Sequence, residues 1–148
     1  MTPVRFVSAA AIAVLVAACG GTGSAGGTPG PSVSSGETVV EVTLTDALRI
    51  EPAAMTVPAG RPVRFVVTNA GATDHEFYLG DEAAQEAHAR EMAEMGGMAH
   101  DEPEGIGVRP GETKELVYTF AQPGDYLAGC HVAGHYAAGM KATIRVTE

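Results

Sequence analysis

The sequence predicts an all-β fold, an antiparallel β-sandwich that occupies residues 37–148. Three observations favour this fold class. Short segments rich in β-branched residues recur along this part of the chain, several of them alternate apolar and polar side chains, and turn sequences separate them. About seven short strands with such regular punctuation are typical of a β-sandwich.

The individual strands follow from the local pattern. The segment Thr38–Leu44 is β-branched and alternating, and Arg61–Asn69 directs alternate apolar side chains to one face. The further predicted strands are Met55–Val57, His75–Leu79, Glu115–Phe120, Asp125–Gly129 and Met140–Thr147. The turn sequences are Pro58-Ala59-Gly60, Asn69-Ala70-Gly71, Arg109-Pro110-Gly111 and Pro123-Gly124. The predicted core consists of Phe65, Phe77, Leu116, Tyr118, Phe120, Ile144 and Val146.

One segment, residues 81–104, interrupts the strand pattern. It is rich in Ala, Glu and Met and predicts a helix from about Asp81 to Met95, which Gly96 and Gly97 would end. The segment holds eight acidic residues and one basic residue, so it contributes −7 to the net charge of −9. The acidity of the chain is therefore mostly local, and a solvated helix face is its simplest interpretation.

The first eighteen residues predict a lipoprotein signal peptide. Arg5 precedes an apolar run from Phe6 to Ala18, which is too short to cross a bilayer as a mature helix but fits a secretory signal. The sequence Val16-Ala17-Ala18-Cys19 resembles the bacterial lipobox, and Cys19 is the expected site of lipidation. We therefore expect the protein to be secreted across the bacterial cytoplasmic membrane and anchored on its outer face by lipid. An ordinary signal with an incidental cysteine is the alternative.

Residues 19–36 contain the cysteine expected to be lipidated and a predicted linker. Within Gly20–Gly36, 15 of 17 residues are Gly, Ser, Thr or Pro, so the segment has almost nothing to bury and is expected to be flexible. Function is therefore sought in residues 37–148.

Composition excludes several classes of function. A sequence pI of about 4.9 makes the protein a poor candidate for binding nucleic acid, which requires basic surfaces. Two cysteines cannot make a disulfide-dense scaffold or a four-thiolate zinc site. The expected protein is a monomer with a single small domain.

The segment from Cys130 to Met140 carries most of the chemistry. It supplies a thiol, the imidazole of His135 and a thioether in the spacing C-x4-H-x4-M, in a loop long enough to curl around one ion. Thiolate and imidazole together favour copper, and two His, one Cys and a weak axial Met form the blue-copper ligand set. The second imidazole must come from another strand. His75 is the best candidate, because it begins a strand shortly after a turn.

These residues and their flanking turns resemble the cupredoxin superfamily, in particular the small plastocyanin-like and azurin-like blue copper proteins. The resemblance covers about residues 38–147. It includes Val57-Pro58-Ala59-Gly60, Asn69 with His75-Glu76-Phe77, Pro110-Gly111-Glu112, and Pro123-Gly124-Asp125-Tyr126. It implies a Greek-key sandwich and one type 1 copper bound by His75, Cys130, His135 and Met140.

Two departures from the family pattern bear on the site. Many relatives carry Asn after the first ligand, where the backbone donates to the thiolate, and Glu76 stands here, which puts that tuning of the potential in doubt. His131 follows Cys130 and gives some resemblance to the mononuclear site of multicopper oxidases. Gly129 occupies the position before the cysteine, where those enzymes have a second His, so oxidase chemistry has no site. His131 is expected to point away from copper, because neighbouring strand-end residues alternate faces.

The expected function is one-electron transfer, cycling Cu(I) and Cu(II), without substrate turnover. His135 should lie nearest the surface, where small apolar neighbours would let a redox partner protein dock around the imidazole edge. A non-metal adhesion-like sandwich is the remaining structural interpretation, and it requires all four ligands to be coincidental.

A second function class follows from the insertion. His88, Met92 and Met95 share one helical stripe, and Met98 and His100 follow it, a set of soft donors that suits Cu(I). The alternative function is therefore a copper-binding lipoprotein for copper trafficking, storage or tolerance, with a copper-handling protein as its partner. The methionines would otherwise simply pack the helix against the sandwich.

Overall fold

The computed structural model describes residues 37–148, which form two packed β-sheets and one helix. The elements are β1 (Thr38–Thr45), β2 (Arg49–Glu51), β3 (Ala54–Pro58), β4 (Pro62–Asn69), β5 (His75–Gly80), α1 (Glu82–Glu94), β6 (Gly105–Val108), β7 (Thr113–Thr119), β8 (Gly124–Gly129) and β9 (Lys141–Thr147). The signal peptide 1–18, the lipidation of Cys19 and the linker up to residue 36 lie outside the described residues. None of the helices in the described part of the chain is long and apolar enough to cross a membrane.

The predicted sandwich is confirmed. One sheet has the strand order β2-β1-β4-β7 and the other the order β3-β9-β8-β5-β6. The pairing is not purely antiparallel, however, because β1 runs parallel to β4 and β3 runs parallel to β9. After β1 and β2 the chain crosses to the second sheet to form β3 and then returns to the first sheet as β4. Because of this crossing, β4 runs in the same direction as β1. A local pattern of alternation carries no information on such a return.

The core lies between the two sheets, where the alternation of apolar residues directs it. Phe65 of β4 packs against Phe77 of β5, with ring centroids 5.4 Å apart, and so joins the two sheets. Phe120 meets Phe65 edge-on at 6.4 Å. Six of the seven predicted core residues are buried, and the seventh, Tyr118, is partly buried and packs edge-on against Phe120.

The predicted helix is present, and its ends follow the expected chemistry. Asp81 caps the N-terminus by accepting a hydrogen bond from the backbone N–H of Ala84, and Met95 ends the helix. Gly96 and Gly97 both adopt positive φ, as helix-terminating glycines do. The strands β2 and β6 are absent from the sequence-based prediction, because they have only three and four residues, too few to establish a pattern.

A buried glutamine fixes α1 against the second sheet. Gln85 donates from its side-chain amide to the carbonyl oxygens of Tyr78 and Leu127, each at 3.1 Å, and so bridges β5 and β8. Gly80 permits the close approach, since a Cβ there would lie 2.6 Å from the Cβ of Ala84. The helix is therefore anchored directly beside the end of β8, where Cys130 follows.

Candidate metal centre

His75 is delivered by a tightly bonded loop between β4 and β5. Asn69, fully buried at the end of β4, donates to the carbonyl oxygens of Thr73 at 2.8 Å and Val108 at 2.9 Å. Its side-chain oxygen accepts from the backbone N–H of Gly71 at 2.9 Å. One amide side chain thus shapes the loop that precedes His75 and ties it to β6.

Asp46, in the turn after β1, holds the same loop from the other side. Its carboxylate accepts from the backbone N–H of Ala72 at 2.7 Å and from the hydroxyl of Thr73 at 2.8 Å. These hydrogen bonds keep the pKa of Asp46 below its usual value. The same carboxylate lies 3.5 Å from Nε2 of His75, so Nδ1 of His75 is the nitrogen that faces Cys130. Sequence reasoning missed Asp46, because nothing local links it to a histidine far along the chain.

Cys130 and the loop after β8 are closed by main-chain bonds. The N–H of Cys130 donates to the carbonyl oxygen of Met140 at 3.1 Å, and the N–H of Met140 donates to that of His135 at 3.1 Å. Gly134 and Gly139 adopt positive φ, +85° and +96°, which a side chain would strain. All three predicted ligands of this loop are therefore held in register by the backbone.

The structure brings three of the predicted donors together. Sγ of Cys130 lies 3.4 Å from Nδ1 of His135 and 3.9 Å from Nδ1 of His75, and one ligand atom from each residue lies within 4.8 Å of the others. Cys130 and His75 are fully buried, whereas His135 is partly exposed, as its predicted role at the surface requires. Met140 is fully buried at the end of the loop.

Burial sets the protonation of these donors. It raises the pKa of the Cys130 thiol to about 11, and the N–H groups of Glu76 and Val132 offset only part of that rise. Burial also lowers the pKa of His75, and the nearby His135 lowers it further. The imidazole is thus ready to donate a lone pair, while the thiol becomes a ligand only when a bound cation displaces its proton.

The donor set fits copper. A thiolate sulfur with two imidazole nitrogens, beside a buried thioether, is the soft and intermediate set that copper prefers over magnesium or calcium. The small residues around His135 are exposed or partly exposed and consist of Val132, Ala133, Gly134, Ala137 and Ala138. The imidazole edge therefore lies within an apolar patch.

Glu76 makes the backbone hydrogen bond to the cysteine sulfur that its side chain had put in doubt in the sequence. Its backbone N–H donates to Sγ of Cys130 at 3.3 Å, which needs no particular side chain. The fully buried carboxylate accepts from the backbone N–H of His131 at 3.1 Å and lies 3.1 Å from Nε2 of His88. Burial raises the pKa of Glu76, while His88 and the N–H of His131 oppose that rise. The residue therefore contacts both the sulfur and α1.

His131 points away from the ligand cluster, as alternation predicted. Its Nε2 lies 2.7 Å from the side-chain oxygen of Gln85, and its ring stacks on Tyr136 with centroids 4.3 Å apart. Burial, with a smaller effect of His88, lowers the pKa of His131 to about 4. His131 therefore joins the loop to α1.

The five residues of the predicted Cu(I) stripe lie in different surroundings. Met92 is buried and lines the same cavity as His131 and Tyr136 of the loop after β8, whereas Met95 is 39% exposed and Met98 is 72% exposed. His88 is buried among carboxylates, and His100 lies near them at the surface. Cu(I) binding by this set stays a prediction.

The family and the relatives that match this sequence agree with a copper site of this kind. The model of the cupredoxin-like domain matches residues 8–144. The chain belongs to the cupredoxin-like family. This cupredoxin is 39% identical over 120 residues to the copper-resistant cuproprotein CopI of Rubrivivax gelatinosus, covering 81% of this chain and 72% of that protein. It is 36% identical over 121 residues to CopI of Vibrio cholerae, covering 81% and 71% respectively.

Solved structures share the fold. Reduced auracyanin from Roseiflexus castenholzii matches the cupredoxin with a TM-score of 0.67 at 24% identity, covering 75% of this chain and 98% of that chain. Auracyanin A from Chloroflexus aurantiacus, described as a blue copper protein, matches with a TM-score of 0.64 at 27% identity, covering 76% and 100%. The donor set and the cuproprotein relatives together show that copper is the cofactor of this cupredoxin.

Proposed function

We propose that this cupredoxin is a one-electron carrier with a type 1 copper site formed by His75, Cys130, His135 and Met140. The observation that supports it is the arrangement of one thiol and two imidazoles within 4.8 Å, two of them fully buried, with only the third near the surface. Bound copper would supply the Cu(I)/Cu(II) couple. No bound substrate is needed for such a role, so we propose no enzymatic turnover.

The chain's own residues prepare the site for this role. Asp46 and Asn69 fix the position of His75, and the N–H of Glu76 donates to the Cys130 sulfur. The donor side chains would therefore need little rearrangement when a bound copper ion changes its charge. His135 provides the exposed edge within an apolar patch, which favours brief docking of a redox partner protein. The main-chain hydrogen bonds of the loop after β8 limit how far Cys130, His135 and Met140 can separate.

The visible spectrum tests the ligand set. Cu(II) added to the protein should produce an intense thiolate-to-copper band, which Cys130→Ser should abolish. Cys19→Ser is the matched control, since it removes the other cysteine of the chain, outside the domain, and should leave the band unchanged. A protein without the band, or a band that survives Cys130→Ser, would contradict the proposal.

A second candidate function is copper trafficking, storage or tolerance. It is favoured by the relatives' description as copper-resistant cuproproteins. The two functions differ in what happens on reduction. A carrier keeps its copper when ascorbate reduces it in the presence of a Cu(I) chelator, and the band returns on reoxidation, whereas a trafficking protein surrenders Cu(I) to the chelator.

We further propose that the protein is lipid-anchored outside the cytoplasmic membrane through Cys19. The Val16-Ala17-Ala18-Cys19 sequence supports this location. Metabolic labelling with palmitate should mark the wild-type protein, and Cys19→Ser should release an unlabelled protein. Labelling that persists in Cys19→Ser would overturn the anchor.

A further inference from the structure

A second cluster of metal-binding side chains lies between α1 and the segment that leads to β6. Nδ1 of His88 is 3.1 Å from Oε1 of Glu102, and Nε2 of His100 is 3.8 Å from the same oxygen. Glu76 approaches the opposite nitrogen of His88 at 3.1 Å. His88, Glu76 and Glu102 offer ligand atoms within 4.8 Å of one another.

The bond to Glu76 determines which nitrogen of His88 is free. Nε2 of His88 lies 3.1 Å from Oε1 of Glu76, and a His88 that donates through Nε2 to this carboxylate keeps Nδ1 as its free nitrogen. The other nitrogen, Nδ1, then presents its lone pair towards Glu102. A carboxylate that holds the far nitrogen of a metal-binding histidine is the usual outer partner of such a ligand.

Two buried atoms of this cluster lack a hydrogen-bond partner among the described residues. They are Nδ1 of His88 and Oε1 of Glu102, which face each other at 3.1 Å without forming a hydrogen bond. His88 is only 2% exposed, so water has little access to its ring. A buried acceptor without a donor costs about 1–3 kcal/mol, and a cation bound to both atoms would remove that cost.

The surrounding structure holds these atoms in place before any ion arrives. The ring of His88 stacks on Tyr78 with centroids 3.8 Å apart and planes 1° from parallel. Glu102 exchanges two main-chain hydrogen bonds with Gly105, at 2.9 and 3.1 Å. Gly107 lets the preceding segment pack closely, since a Cβ there would lie 3.1 Å from Ala99. The donors are thus carried by fixed backbone.

We propose that His88, His100 and Glu102 bind a second metal ion, a divalent cation of the Cu(II) and Zn(II) class, with Glu76 orienting His88. Two imidazoles and a carboxylate are the intermediate and hard donors that these oxidised ions take, unlike the thioethers that Cu(I) takes. The partly exposed His100 gives a metal ion access to the site from solvent. The charge of −7 on residues 81–104 attracts cations to this part of the surface. The site is separate from the proposed electron-transfer function and does not depend on it.

The test is a Zn(II) titration by calorimetry on copper-loaded protein, with the visible band followed throughout. We expect one equivalent of Zn(II) to bind while the band persists. Glu102→Gln and His100→Ala, which change partly exposed side chains, should weaken binding by about tenfold or more, since even loss of an outer partner costs about 10–100-fold. With Cu(II) as the second probe, an additional electron paramagnetic resonance signal without thiolate character should disappear in the same variants.

Two control variants make the result specific. Glu94→Gln removes the same charge from an exposed position of α1, and the double variant Met95→Leu/Met98→Leu removes exposed thioethers. Both should bind Zn(II) as the wild type does. Absence of the additional equivalent, or its loss in a control rather than in Glu102→Gln, would overturn the proposal. If no visible band forms at all, the same titration on Cys130→Ser keeps the two proposals distinguishable.

Discussion

Glu76 acts on the copper site through its main chain and on α1 through its side chain. The main-chain N–H donates to the Cys130 sulfur, whereas the carboxylate accepts from His131 and contacts His88. These two contributions can be separated by mutation, because a side-chain change leaves the N–H in place. Glu76 therefore couples the copper donors to the helical insertion, in addition to the contact between His131 and Gln85.

Glu76→Gln tests this separation. An amide has only one accepting oxygen. If that oxygen keeps the N–H of His131, a His88 protonated on Nε2 faces the amide NH2 and loses its acceptor, at a cost of about 1–3 kcal/mol in the free energy of unfolding. The wavelength of the copper band should change little, because the N–H to sulfur bond remains. Urea unfolding and the visible spectrum measure the two effects, with Glu94→Gln as control. A lost band with unchanged stability would contradict this division of roles.

At the residue scale, the predictable part of the site is the part that is contiguous in sequence. Cys130, His135 and Met140 lie in one short loop, so their residue types and spacing favour copper already in the sequence. The partners that orient them could not be predicted. Asp46 reaches His75 only after the sheets have packed, and Glu102 meets His88 only after the insertion has folded.

The helix α1 is held by Gln85 more than by an apolar face. This side chain donates to two strand carbonyls and lies 2.7 Å from His131 of the copper loop. The sequence predicted the helix correctly, because its composition and the Asp81 cap are local. It could not predict a glutamine as the anchor, since a polar residue on a helix is normally solvated.

Gln85→Leu should therefore destabilise the domain although it adds an apolar side chain. It removes two hydrogen bonds to strand carbonyl oxygens and the polar contact with a histidine nitrogen, which we expect to lower the free energy of unfolding by about 2–3 kcal/mol. Chemical denaturation measures this change. Glu86→Leu, at the neighbouring exposed position, serves as control and should change stability by about 0.5 kcal/mol or less. Equal effects of the two substitutions would show that Gln85 does not anchor the helix.

The whole molecule connects its two sheets through the copper donors. His75 begins β5 of the second sheet and is held by Asp46 from the turn after β1 of the first. The other three proposed ligands follow β8 of the second sheet. The sequence predicted the two-layer architecture from alternation, but the parallel pairs β1–β4 and β3–β9 depend on the path of the chain between sheets.

Copper should accordingly stabilise the entire domain rather than the loop alone. Free copper at about 100 times its dissociation constant adds about 2.7 kcal/mol, which for a domain of this size raises Tm by about 10 °C. Differential scanning calorimetry with and without copper measures the shift, and Cys130→Ser should reduce it strongly. A shift of the same size in Cys130→Ser would mean that the stabilising copper binds elsewhere.

Gly129 has a consequence for redesign of the protein. A Cβ at this position would lie 2.7 Å from the ring of Tyr136 and would overlap the side-chain oxygen of Gln85. These two residues also hold His131, by stacking and by a close polar contact. An engineer who wished to place a histidine before Cys130, as oxidases do, would first have to remove the helical insertion and rebuild the loop beneath it. The side chain of Gln85 on α1 thus occupies the space that an oxidase-type histidine at this position would need.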